Sequence, residues 1–314
     1  MRVALPQLAL PLLALPLLLV GCASPATDTA STPSAVTIDN CGFELTVTTP
    51  PQRIVTIKST STDMLVALGL GDRIIGEAFP DGPTGDIPVI SDFAPSEEAV
   101  LDLEPDFVFG GWESNFTADT AGDRTELKTL GIGSYVAPAA CKEPGYQPDP
   151  LTWDGIFDDV TEAGAIFGAP DEAAALVTSQ KAELAEITPD ATGRTALWWS
   201  SGNDTPYVGA GKGAPQLVLD TIGLTNIAAD VDDTWTSYNW EAIIAANPDI
   251  IVLIDATWNT AAAKVSFLES DPAAMNLDAV KNKRYLYLPF AAGEAGVRSV
   301  SAATDLAAQL ADLG

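Results

Sequence analysis

Three basic side chains and three tryptophans stand where their chemistry could hold a ligand. Lys58 follows the apolar run RIVTI and Trp112 follows FVFGG; ALWWSSGNDTPYVGAGKGAP carries Trp199, Tyr207 and Lys212. DDTWTSYNW carries Trp235, PFAAGEAGVRSV carries Arg298, and Phe93 follows VISD. Rings flanked by Gly, Ser, Asp and Thr can stack on a flat aromatic ligand. Fixed cations suit a phosphate or a carboxylate. In a chain with 15 basic residues, Lys58, Lys212 and Arg298 at matching loops would make a local positive pocket. Each also has a plainer role open to it, a solvated lysine or a packing ring. Trp198 belongs in the core if Trp199 faces out, because strand neighbours point to opposite sides; Trp153 and Trp240 are assigned to packing.

Other chemistry is excluded by a residue type that is missing. The chain contains no histidine. That removes Ser-His-Asp and Cys-His nucleophiles and His-ligated metal. Hydrolysis by a carboxylate pair remains, but with 43 acidic residues the proximity of two of them carries no information. VGAGKGAP has the Gly-Lys of a phosphate loop, yet Pro206 replaces its first glycine and Gly213 its metal-binding Ser or Thr. The expectation is a chain that is no enzyme and needs no cofactor or metal.

The amino terminus supplies an address. From Val3 to Val20 the one polar side chain is Gln7, and Pro6, Pro11 and Pro16 interrupt the run, as in a short secretory signal rather than a spanning helix. Leu19-Val20-Gly21-Cys22 resembles a bacterial lipobox, which makes residues 1–21 a lipoprotein signal peptide and Cys22 the lipidated first residue; an uncleaved anchor is the alternative. Residues 22–36 read as a flexible tether. The body is then held at the extracytoplasmic face of the cell membrane by lipid alone. A net charge of −28 argues against nucleic acid and against adhesion to anionic lipid. Cys41 and Cys141 remain, read as a disulfide with a free pair as the alternative.

The elements that must position these residues are written twice. SEEAVLDLEPDFVFGGWES (96–114) and NWEAIIAANPDIIVLIDATWN (239–259) align Pro105 with Pro248, Asp106 with Asp249 and Glu98 with Glu241. Each reads as a helix, a Pro-Asp turn and a buried strand. TDMLVALGLGDRIIG and APQLVLDTIGLTNIA are apolar helices ending at glycine, and LGIGSYVAP and KNKRYLYLP are strands ending at proline. The fold class is α/β: two similar lobes with parallel central sheets, 37–150 and 190–314. They are joined through 151–189, whose part after Pro170 is one long rigid helix ending before Pro189. Ligands of such sheets bind beyond the strand ends, so the cleft between the lobes is the expected site.

Together NCGFELTV, PPQRIVTI, STDMLVALGLGDRIIG, EAVLDLEPDFVFGG and EAIIAANPDIIVL resemble the helix-linked class III binding proteins of the iron-siderophore and cobalamin ABC-importer family, over residues 39–312. The resemblance implies capture of an external small molecule and delivery to a membrane permease dimer. It also implies that Glu98 and Glu241 dock on that permease, and that Arg298 grips an anionic or carbonyl-rich ligand. The ligand set is Lys58, Phe93, Trp112, Trp199, Tyr207, Lys212, Trp235 and Arg298. The second-lobe stretches are similar to an actinobacterial subgroup proposed to import the precursor of the deazaflavin coenzyme F-420, with a ferric siderophore and then cobalamin as alternatives. A monomer is expected. An exported hydrolase or a surface adhesin are the competing classes.

Overall fold

A computed structural model describes Met1 and residues 35–82, 85–147 and 150–314. Cys22, the signal peptide and nearly all of the tether lie outside the described residues. Among the described residues no helix is long and apolar enough to cross a membrane.

The first lobe opens with an antiparallel hairpin of β1 (Val36–Asn40) and β2 (Phe43–Val47). Its two-residue turn places Cys41 and Gly42 at φ 53° and 78°, the left-handed geometry that matches strand twist in a tight hairpin. Behind it lies a wholly parallel sheet of β3 (Ile54–Ile57), β4 (Ile74–Ala78), β5 (Val89–Ser91), β6 (Phe107–Gly110) and β7 (Gly133–Val136), ordered β5-β4-β3-β6-β7. β3 and β6 are buried along their whole length, as continuous apolar strands covered on both faces must be. The lobe's helices are α1 (Ser59–Ala67), α2 (Glu97–Leu101) and α3 (Arg124–Thr129). A disulfide joins Cys41 in the hairpin turn to Cys141, just past β7.

The bridge is two helices rather than a single one. α4 (Trp153–Phe167) stops at Gly168, whose φ is 71° and where a Cβ would lie 2.6 Å from Pro50, so only glycine fits. α5 (Pro170–Ala185), the long helix expected after Pro170, restarts with proline in its first turn. α4 sinks Val160, Ala163, Ile166 and Phe167 into the first lobe's core, where Phe167 meets Phe107 edge-on at 5.2 Å. α5 also reaches the second lobe: Gln180 Nε2 donates to Val297 O at 2.6 Å and Thr304 Oγ1 to Glu183 Oε1 at 3.1 Å.

The second lobe contains β8 (Thr195–Ser201), β9 (Tyr207–Gly209), α6 (Ala214–Ile222), β10 (Thr225–Asn226), β11 (Trp235–Ser237) and α7 (Trp240–Ala246). It continues with β12 (Ile250–Asp255), α8 (Ala261–Ser270), α9 (Asp278–Lys281), β13 (Tyr285–Pro289), α10 (Phe290–Gly293) and α11 (Ser299–Asp312). Its parallel strands run β10-β8-β12-β13, the order of β4-β3-β6-β7, while β9 and β11 pair antiparallel beside β8. The repeated aspartate does the same work twice. Asp106 accepts from Gln52 N at 2.8 Å and Arg53 N at 3.0 Å at the entry to β3; Asp249 accepts from Thr195 N at 2.9 Å at the start of β8. Each thereby satisfies amides that a strand end leaves unpaired.

One carboxyl in the bridge makes stability depend on pH. Asp159 of α4 is half-buried, and burial first, then Glu162 and Asp158, lift its pKa from 3.8 to about 7. The folded state thus holds a proton that the unfolded chain has already released, so this contribution is complete below 3.8 and lost as pH rises through 7. Asp159→Asn is expected to stabilise the protein by about 1–2 kcal/mol more at pH 8 than at pH 5, after allowance for solvent screening. Urea unfolding at the two values checks this, and an equal gain at both would contradict it.

Candidate ligand-binding cleft

A cleft of about 380 Å³ opens between the lobes at the carboxyl ends of their strands, where ligands of open α/β sheets sit. The first lobe supplies Trp112 and Glu113 after β6 and Ala139, Ala140 and Lys142 after β7. The second supplies Tyr207, Lys212, Trp235, Trp258, Phe290 and Glu294. Gly111 lets the β6 loop pass over its neighbours, since a Cβ there would meet Thr60 Oγ1 at 2.5 Å and Lys58 Cβ at 2.8 Å.

Of the residues expected at the site, Trp112, Tyr207, Lys212 and Trp235 come together on its walls. Tyr207 and Trp235, on neighbouring strands β9 and β11, stack with ring centres 6.0 Å apart and planes 13° off parallel. Trp112, on the other lobe, donates from Nε1 to Glu294 Oε2 at 3.2 Å and lies edge-on to Phe79 at 5.6 Å. Lys212 ion-pairs with Asp232 at 2.6 Å. The cleft is therefore lined by aromatic rings from both lobes.

Four expected residues lie elsewhere. Lys58 is 1% exposed and ion-paired to Asp81, whose side chain is equally buried; its ammonium lies 4.0 Å from the Phe79 ring centre, 4.3 Å from Trp112 and 4.9 Å from Phe290. It is a cation beneath the floor, consumed by carboxylate and rings, and not offered to a ligand. Arg298 turns to Asp63 of α1, making a cross-lobe ion pair away from the cleft wall. Burial, more than the opposing guanidinium, holds the Asp63 carboxyl above its usual pKa. Phe93 is 73% exposed and packs near Phe79, outside the cleft wall. Trp199 is fully buried, edge-on to Trp240 at 5.4 Å and to Phe267 at 5.9 Å, with Nε1 donating to Ser201 O and Gly202 O. Trp198 is buried as well, on the opposite face. Alternation assigns a face, and here both faces are covered. The three-cation pocket is thus replaced by Lys212 and by Lys142, which reaches across to Thr234 Oγ1 at 3.4 Å and Asp233 at 3.9 Å.

Sequence reasoning also missed Glu113, Glu294, Trp258 and Phe290. The strand-end rule that selected Trp112 was available for Trp258 after β12 and for Phe290 and Glu294 after β13. Glu113 accepts from the backbone amides of Lys142 and Glu143, tying two wall segments together. Burial raises the Glu294 carboxyl above its usual pKa, against the Trp112 hydrogen bond and the Lys58 charge. Lys264, fully buried, donates to Ile254 O and Asn259 O and so braces the loop bearing Trp258; burial lowers its pKa to about 8. Among the described residues no group of three or more His, Cys, Asp or Glu is arranged to hold a metal ion.

On the outer surface, Glu98 and Glu241 occupy the same place in the two lobes. Each is exposed in the first turn of its helix, α2 capped by Ser96 and α7 by Asn239, and no described residue pairs with either carboxylate.

The family described as Periplasmic binding protein (Peripla_BP_2) matches residues 54–292. Over 306 residues the chain is 26% identical to a Bacillus subtilis (strain 168) protein described as the uncharacterized ABC transporter substrate-binding lipoprotein YvrC, covering 92% of this chain and 91% of that one. It is 25% identical over 272 residues to the Cobalamin-binding protein of Halobacterium salinarum (strain ATCC 29341 / DSM 671 / R1), covering 80% of this chain and 66% of the relative. A solved structure from Saccharomonospora viridis DSM 43017, described as an ABC-type Fe3+-hydroxamate transport system, superposes with a TM-score of 0.74 at 25% identity, over 87% of this chain and 98% of that one.

Proposed function

The chain belongs to the periplasmic binding protein family, and on that premise we propose that it is the extracytoplasmic solute-binding component of an ABC importer. In this reading it acts as a monomer, held to the membrane by a lipid on Cys22, and hands its cargo to a permease dimer through Glu98 and Glu241. The observation that carries the binding role is the cleft itself, with Trp112 contributed by one lobe and the stacked Tyr207–Trp235 pair by the other. Aromatic rings on both walls favour a flat, conjugated solute, and Lys142 and Lys212 beside them favour one that also bears an anion. A deazaflavin of the coenzyme F-420 precursor kind has both properties. A ferric siderophore is the second reading, supported by the Fe3+-hydroxamate likeness, and cobalamin the third, supported by the halobacterial relative. The two cleft carboxylates do not argue for a hydrolase, because Glu113 is turned onto backbone amides and the family is one of binding proteins.

Tryptophan-fluorescence titration of the protein lacking residues 1–34 tests this, with a deazaflavin precursor, ferric hydroxamates and cobalamin as ligands. Trp112→Ala is expected to weaken the bound ligand by about 1–3 kcal/mol, five- to 150-fold, while leaving the fold intact. Absence of saturable binding to any of the three, or an unchanged constant in the variant, would remove the cleft as the capture site.

A further inference from the structure

Glu294 is the one cleft group whose presence a flat anion does not explain. It follows α10 on the second lobe, its carboxyl meets Trp112, and no described cation is in ion-pair contact with it. Lys58, the nearest candidate, is already committed to Asp81. Glu294 is half-buried, and a solute filling the cleft would take the rest of its carboxylate out of water, which is costly unless its oxygens are satisfied. Trp112 Nε1 satisfies Oε2 from across the cleft and fixes its orientation, whereas Oε1 receives no hydrogen bond from a described residue. The cleft's cations behave differently, since Lys142 and Lys212 are tied to Asp233 and Asp232 in the loop before β11. Apart from Glu113, which the amides of Lys142 and Glu143 hold, its charged side chains thus fall into two sets on different partners, an acceptor against Trp112 and cations against the 232–233 loop, with aromatic rings on the walls.

We propose that Glu294 is a specificity-determining residue that accepts a hydrogen bond from an N–H or O–H on the edge of a flat heteroaromatic solute, whose anionic group goes to Lys142 and Lys212. This rests on the reading of the cleft as a capture site and narrows the solute class. A ring whose edge presents only acceptors, or whose donor is blocked by a methyl group, faces a fixed carboxylate and is rejected, because a buried polar group without its partner costs more than the bond itself contributes. A siderophore wrapped around iron, with its donors spent on the metal, gains nothing from Glu294.

The probes are riboflavin 5′-phosphate, a flat tricycle with a ring N–H and a phosphate, and its N3-methyl derivative. The protein lacking residues 1–34 is expected to bind the parent at least tenfold more tightly than the methylated probe. In Glu294→Ala the parent loses at least tenfold and the two probes become equal within threefold; Glu294→Gln, which keeps an acceptor for Trp112, replaces it if the alanine variant does not fold, and is expected to shrink the ratio in the same direction. Equal binding of both probes by the unaltered protein, or an unchanged ratio in the variant, overturns the role of Glu294. So does failure to bind either flavin while a ferric hydroxamate or cobalamin still binds in a Trp112-dependent way, a result that leaves the capture function standing. Silence of every ligand removes the capture function as well.

Discussion

Lys58→Met is expected to lower the free energy of unfolding by about 3–5 kcal/mol. Methionine fills most of the space between Phe79, Trp112 and Phe290, so lost volume is a small part of the effect. The loss comes from Asp81, whose carboxylate shares the buried pair at 1% exposure and would be left without a counter-charge. Burial already pushes the Asp81 pKa upward, with the lysine opposing it; without the lysine the group must take up a proton or draw water under the floor of the cleft. Lys58→Met combined with Asp81→Leu is expected to recover most of the loss, since replacing both members of a buried pair by apolar groups is often neutral. Urea midpoints of the single and double variants decide it. A single-variant cost below about 1 kcal/mol, the range of exposed pairs, would mean that the pair is hydrated.

Glu98→Ala with Glu241→Ala is expected to leave ligand titrations unchanged and to cut uptake through the permease by roughly 100-fold or more. Truncating one member of a desolvated charge pair at an interface costs about 2 kcal/mol or more, so two such losses exceed a factor of 100 together. Folding should not suffer, because both carboxylates are exposed and the helix caps reside in Ser96 and Asn239. The two sites are related by the internal repeat, which is the arrangement a two-fold partner requires. Uptake in reconstituted vesicles, measured beside fluorescence titration, separates the roles. A parallel fall in both would show that docking and capture share one surface.

Much of the architecture was legible because it is repeated. Pro105 and Pro248 aligned two helix-turn-strand units that the fold sets at equivalent positions, and the paired Asp106 and Asp249 cap the entries of β3 and β8 alike. Gly69 and Gly223 end α1 and α6 with positive φ, as terminal glycines should. The lining of the candidate cleft was legible where a strand end meets a polar loop, as at Trp112, Tyr207, Lys212 and Trp235. The rule failed where a distant residue intervened. Asp81 lies 23 positions beyond Lys58 and takes its charge; Asp63 lies 235 positions before Arg298 and does the same. Trp199 failed for another reason: α8 brings Phe267 over the face that alternation had assigned to solvent. Glu294 stood in a stretch already singled out, but nothing local says that Trp112, 182 positions earlier, will aim its indole N–H at it.

Cys141 directly precedes Lys142 and follows Ala139 and Ala140, three residues of the first lobe's wall. Its bond to Cys41 therefore fastens one side of the binding surface to a hairpin 100 positions away. Such a bond is made in oxidising compartments and withheld in the cytosol. On the proposed export of the chain, that fastening would be added only outside the cytosol, and the wall residues beside Cys141 would be held to the hairpin from then on.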